Sequence, residues 1–150
     1  MILYLETSRL VKLYVEEDGS EKTEKLVEEA EFTVTSIISY VEAWAAFSRK
    51  LRDGGLAEGE FRAAKAGLDE DWDRFMVLNA AMEIVREAGR LAEKHALKGF
   101  DGLHLASALS LRAGAGTGAG ARGDDRISVV FASADAKLNI AARREGLKIG

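Results

Sequence analysis

Four carboxylates, Glu6, Glu42, Asp101 and Asp135, stand where alternating strands and helices could deliver acids to one place. Glu6 directly follows the first apolar run, and Asp135 follows the last convincing strand within three residues. Open α/β sheets bind ligands outside the carboxyl ends of their strands, so these two acids converge on that edge. Glu42 lies about two turns into the helix after the second strand, and Asp101 opens the helix after Gly99. Either can lean toward the same edge, although spacing alone does not bring them there. Carboxylates gathered within a few ångströms raise one another's pKa unless a cation neutralises them. An oxygen-only set of this kind suits Mg²⁺ or Mn²⁺, hard ions that also bridge phosphates. The chemistry on offer is phosphodiester hydrolysis, in which the metal acidifies a water, aligns the phosphate and stabilises the leaving oxygen. No protein nucleophile is required.

Positioning those acids is the work of short strands and amphipathic helices. Ile2 to Leu5 reads as a strand, and Thr7 or Ser8 can cap the helix carrying Leu10, Val11, Leu13 and Tyr14. After the Asp18-Gly19 turn, Ser20 opens a strongly acidic helix. Phe32 to Thr35 is brief and β-rich, and Ser36 caps a helix with Ile37, Val41, Trp44, Ala45 and Ser48 at helical spacing. Gly54-Gly55 breaks it, and a long helix follows over Ala57 to Phe75, then a short strand at Met76 to Leu78. Two further helices are expected, one over Ala80 to Ala96 and one from near Asp101. Ile127 to Ala132 is the most continuous β-type run, which implies burial on both faces, and the last helix ends at Gly146. The expected fold is a single three-layer α/β domain over residues 1–150, with a mainly parallel sheet of four or five strands between helices. The stretch from Ala113 to Gly123 has five glycines and no residue large enough to build a core, and is expected to be a flexible loop.

Composition narrows the setting. There is no cysteine, so a disulfide framework and thiolate metal sites are excluded and a reducing cytoplasm is the expected location. No apolar run reaches the roughly 18 residues that span a membrane. The net charge of −4 is uneven: Val15 to Glu31 holds eight acids and two lysines, a local −6 that leaves +2 for the rest. Basic clusters at Arg49, Lys50 and Arg52 and at Arg143 and Arg144 leave room for a polyanionic partner, or are plain solvated helix faces. His104 lies one turn after Asp101 and could share its face as a metal ligand, but a hydrogen-bonded packing role is the better reading; His95 is expected at an exposed helix end. Trp44 and Trp72 read as core or interface residues, and Tyr4 as core.

The segments YLETSRLVKLYVEEDGSE, TSIISYVEAWAAF, FDGLHLASAL and FASADAKLNIAARREGL resemble, in order, the four signature segments of PIN domains, and among them VapC-type toxins of toxin–antitoxin pairs. The resemblance implies a Mg²⁺- or Mn²⁺-dependent endoribonuclease that acts on RNA, forms a homodimer and is held inactive by a small antitoxin. It places the four metal-binding acids on Glu6, Glu42, Asp101 and Asp135, and catalytic hydroxyls on Thr7 and Ser133. An antitoxin is expected in an apolar groove lined by Leu10, Leu13, Tyr14 and the helix bearing Trp44. Two departures stand out: Glu6 replaces the usual Asp, and Arg9 replaces a small residue. A guanidinium at Arg9 could reach the Glu6 carboxylate and compete with the cation. The alternative is a PIN-fold protein that binds an antitoxin or RNA without efficient cleavage. A small-molecule binder of the Rossmann type is disfavoured, because no glycine-rich loop follows the first strand.

Overall fold

The computed structural model describes residues 1–115 and 128–150, which form a five-stranded parallel sheet in the order β3-β2-β1-β4-β5. At its centre is β1 (Ile2–Leu5), all four residues of which are buried. Alternation along the strand splits its side chains between two cores. Leu3 and Leu5 pack with Leu10, Phe47 and Leu68 on one face, while Ile2 and Tyr4 pack with Leu91, Leu105, Phe131 and Leu138 on the other. A strand covered on both sides needs apolar residues throughout, hence the unbroken run.

On one flank of β1 lies β2 (Phe32–Ser36), paired Ile2 with Phe32 and Tyr4 with Val34; on the other lies β4 (Val129–Ala132), paired Ile2 with Val129 and Leu5 with Ala132. Because all run parallel, Glu6, Ser36 and Ser133 leave the sheet from one edge. A single turn α1 (Thr7–Leu10) and a 3₁₀ turn at Val11–Leu13 follow β1, then α2 (Ser20–Glu29). After β2 come α3 (Ile38–Arg52) and α4 (Glu58–Asp71), then β3 (Met76–Leu78) on the outside of β2. Next are α5 (Met82–His95) and α6 (Gly99–Ala115), which cross so closely that a Cβ on Gly102 would stand 2.6 Å from the Ala88 carbonyl oxygen. Only glycine lets α6 seat there, and the residue beside it is Asp101. The chain ends with α7 (Ala136–Arg144) and β5 (Lys148–Ile149). Gly146, at φ 82°, closes α7 in a Schellman turn, with Leu147 N donating to Ala142 O at 2.9 Å.

Several expectations move. Ser36 is the last residue of β2, and α3 starts at Ile38. The strand read from Ile127 starts at Val129, Ile127 itself lying outside the described residues. Residues 113–115 continue α6, and the remainder of the glycine-rich stretch to Gly123 also lies outside the described residues. The two-residue β5 has no apolar pattern and exists because β4 offers it a free edge. Leu10 is wholly buried, so it cannot line a groove for an antitoxin. The His95 side chain is 5% exposed, with Nε2 2.6 Å from Glu145 Oε1; the tertiary fold covers a ring that sequence position left open. Among the described residues no helix is long and apolar enough to cross a membrane.

Candidate active site

The end of β1 and the end of β4 together make a bracket for one carboxylate. Glu6 occupies the N-cap position of α1 and is buried, its backbone N–H donating to Ala132 O at 3.0 Å. Its Oε2 receives Ser133 Oγ at 2.8 Å and also the hydroxyl of Ser8. Both serines are themselves held by the backbone after β4: Ala134 N donates to Ser8 Oγ at 2.8 Å and Asp135 N to Ser133 Oγ at 3.0 Å. Asp135 is then the N-cap of α7, Oδ1 accepting from Leu138 N at 2.8 Å. Each acid is gripped at one oxygen. Glu6 Oε1 and Asp135 Oδ2 take no hydrogen bond from the described residues.

A second arrangement, built from side chains far apart in the chain, holds Glu42. His104 Nε2 lies 2.7 Å from Glu42 Oε1, and Thr7 Oγ1 donates to the same oxygen at 2.7 Å. On the other side of the imidazole, Nδ1 is 3.0 Å from the Tyr4 hydroxyl. The ring thus bridges the two, Nε2 facing the Glu42 carboxylate and Nδ1 the Tyr4 hydroxyl. Burial pushes the Tyr4 hydroxyl above its ordinary pKa, which keeps that proton in place. Thr7 also contacts Ser39 at 3.2 Å, and Ser39 shares a hydrogen bond of 2.7 Å with Thr35, whose hydroxyl reaches Leu5 O. Burial opposes ionisation of Glu42, but the His104 contact and the Thr7 hydroxyl outweigh it and hold the carboxyl below its usual range. Glu42 Oε2 is left without a hydrogen bond to any described residue.

Asp101, in the first turn of α6, makes no side-chain hydrogen bond with the described residues. Burial, then the charges of Asp135 and Glu6, raise its carboxyl above the ordinary value, with His104 and Lys98 opposing. The structure therefore brings Glu6, Asp101 and Asp135 within electrostatic reach of one another, while Glu42 answers to His104. In its chemistry the set fits a hard divalent cation: the donors are all carboxylate oxygens, they repel one another, and each acid keeps an oxygen free. In its geometry the set is open, because no three such groups among the described residues stand close enough to enclose an ion.

Sequence reading missed Ser8, Tyr4, Thr35 and Ser39 as members of these networks. Ser8 had a signal, a hydroxyl two residues from an acid at a strand end; the others became visible only through burial. Arg9 corrects an expectation. Its guanidinium turns from Glu6 to the start of α2, where Nη1 reaches Thr23 Oγ1 at 3.2 Å and Gly19 O at 3.5 Å. Competition between Arg9 and a cation for Glu6 is not what the structure holds. Beside the two networks a cleft of about 390 Å³ opens, lined by the acids Glu6, Glu42 and Glu17 and by the cations Lys12, Arg49 and Lys50.

The family model for the PIN domain matches residues 3–117, a stretch that contains Glu6, Glu42 and Asp101 and stops before Asp135. Ribonuclease VapC45 of Mycobacterium tuberculosis is 33% identical over 114 residues, covering 73% of this chain and 76% of the relative. Ribonuclease VapC3 of Pyrobaculum aerophilum is 31% identical over 110 residues, covering 72% of this chain and 82% of the relative. Among solved structures, VapBC2 of Rickettsia felis, bound to a DNA fragment from its promoter, superposes with a TM-score of 0.63 at 15% identity. That match covers 100% of this chain and 98% of the other, and it is a likeness of fold.

Proposed function

The chain belongs to the PIN domain family, and on that premise we propose that it is an endoribonuclease of the VapC type, the toxin of a toxin–antitoxin pair, which hydrolyses RNA phosphodiester bonds with Mg²⁺ or Mn²⁺. The observation that carries the reading is that Glu6 and Asp135 follow the carboxyl ends of β1 and β4 while Asp101 lies within electrostatic reach of both, its carboxyl raised first by burial and then by their charges. Bound there, a divalent cation supplies charge neutralisation at the phosphate and acidifies water. Glu6, Asp101 and Asp135 would hold it through carboxylate oxygens, and Glu42 would join them. Ser133 and Ser8 fix the Glu6 carboxylate by one oxygen and leave the other free, and Thr7 with His104 does the same for Glu42. Such preset orientation is what a phosphoryl transfer needs from the protein.

A small antitoxin and a second copy of the chain belong to the same reading. Val41 and Trp44 on α3, with its N-cap Ile37, fall at helical spacing with 61%, 37% and 41% exposure, apolar area that an unpartnered helix does not keep without cause. Cleavage of mixed RNA by the purified full chain, with Mn²⁺, with Mg²⁺ and with EDTA, tests the activity; cleavage indifferent to EDTA overturns the metal. A second reading, an RNA or antitoxin binder with weak cleavage, is favoured by the open geometry of the acids and by the hold of His104 on Glu42. It predicts RNA binding without metal-dependent turnover in the same assay.

A further inference from the structure

The cleft beside the acids has a wall that the proposed hydrolysis does not use. Three cations line it: Lys12 from the 3₁₀ turn after α1, and Arg49 and Lys50 from the last turn of α3. Cations at a helix C-terminus offset the macrodipole, which is a sufficient reason for some basic residue there. It does not explain how these three are arranged. Lys12 donates to Glu17 Oε1 at 2.8 Å and to Asp18 O at 2.7 Å, and Lys50 pairs with Glu17 Oε2. One carboxylate thus spans two ammonium groups, each on its own oxygen, as two oxygens of a phosphate would. Arg52 is occupied with Ser48. Arg49 is different: exposed, on the same cleft, and without a side-chain hydrogen bond or ion pair to any described residue.

We infer that this wall is a phosphate subsite for the RNA strand. Arg49 is the free cation that takes a backbone phosphate neighbouring the one at the acids, and Lys12 and Lys50, held ready on Glu17, are the reserve behind it. The inference rests on the ribonuclease reading and says how the substrate lies: from the acids toward the C-terminal end of α3. A strand whose reacting phosphate approaches Glu6 and Glu42 meets repulsion there, and cations a short way along the same cleft offset it. A guanidinium suits this task, because its planar donors grip a phosphate bidentately. Contacts of this kind set register on the strand without reading its sequence. Glu17 competes for the two lysines, so it tempers the affinity of the wall for polyanions.

The test uses a fluorescently labelled single-stranded RNA of mixed sequence, titrated with the full-length chain carrying Asp135→Asn in EDTA, across a range of salt. Adding Arg49→Ala is expected to weaken binding by about tenfold and to lower the slope of log affinity against log salt by about 0.7, the share of one phosphate contact on a single strand. Arg49→Lys should restore most of the slope, and Arg143→Ala, outside the cleft, should leave it unchanged. Glu17→Gln should tighten binding severalfold. In the chain with native Asp135, Arg49→Ala should raise KM with kcat unchanged. If Arg49→Ala matches its Asp135→Asn parent in affinity and slope while that parent binds RNA and the chain with native Asp135 cleaves it, the subsite is wrong and the ribonuclease reading stands. If the parent does not bind RNA and the chain with native Asp135 does not cleave it, both fall. Weaker binding by Glu17→Gln overturns the part given to the lysines.

Discussion

The Glu6 corner and the Glu42 corner both grip a carboxylate by one oxygen, and they do it by different means. Around Glu6 the donors are hydroxyls two residues away on α1 and at the adjacent strand end, each pinned by a backbone N–H. Around Glu42 the partners are Thr7 on α1 and His104 on α6, whose fully buried imidazole is backed in turn by Tyr4 on β1. The first corner is set by backbone and costs little to maintain. The second depends on packing, since His104 has to be held between Tyr4 and Glu42 by everything around it. On the proposed reading the acids near Asp101 would hold the cation and the packed corner would orient.

The comparison breaks most visibly at the acids. Asp101→Asn and Asp135→Asn are each expected to lower RNA cleavage in Mn²⁺ by on the order of 10²-fold or more. Asparagine preserves the cap on α7, so Asp135→Asn should keep its thermal midpoint. Glu42→Gln should lose less, about tenfold, as for a group that orients rather than carries the charge. Equal losses at Glu42 and Asp101 would erase the distinction between the corners.

Stability should separate them in the opposite sense. His104→Leu leaves the Tyr4 hydroxyl and the Glu42 carboxylate without their partner, and should cost about 3 kcal/mol in urea unfolding. Ser133→Ala removes one bond to a carboxylate that retains Ser8, and should cost about 1 kcal/mol. A Ser133 variant as damaged as the His104 variant means that the Glu6 corner also depends on packing.

Smaller effects sharpen the Glu6 side. Glu6→Asp withdraws the carboxylate by one methylene from a backbone fixed at the end of β1, and is expected to raise cleavage on the order of tenfold by bringing the ligand set nearer the geometry Mg²⁺ demands. A fall instead would show that the longer side chain is needed to reach Ser8 and Ser133. Arg9→Ala should leave Mn²⁺ affinity by calorimetry unchanged and cost about 1 kcal/mol or less, because its contact is with Thr23.

The smallest effect lies away from both corners. Hydrogen bonds and charge from Lys94 and then His95 hold the Glu145 carboxyl below its ordinary value. A carboxylate with a depressed folded pKa contributes stability in full above its unfolded pKa, and that contribution is lost as pH falls through the folded value. Glu145→Gln should therefore lower stability slightly at neutral pH, where the contribution is present in full, and leave it unchanged at acid pH, so that the acid limb of the stability curve flattens. The effect is small because the contact is near the surface. Acid unfolding with the same profile in both proteins would remove Glu145 from the account.

Four of the five strands and most helices were legible in the chain because their signals are local. An unbroken apolar run at Ile2 to Leu5 demands cover on both faces, helical spacing marks α3 and α5, and Gly146 stops α7. Glu6 and Asp135 were legible at the carboxyl edge for the same reason, since each follows a strand directly. The tertiary structure alone decided what those acids touch. That Glu42 belongs to His104 and Tyr4, that Asp101 feels Asp135 and Glu6, that Arg9 turns to Thr23, and that Arg49 shares a cleft with Glu6 are relations between residues up to 100 positions apart. Local pattern determines which face a side chain leaves from. Its partner is chosen by how the helices pack, and at Gly102 that rests on the absence of one Cβ against the Ala88 carbonyl.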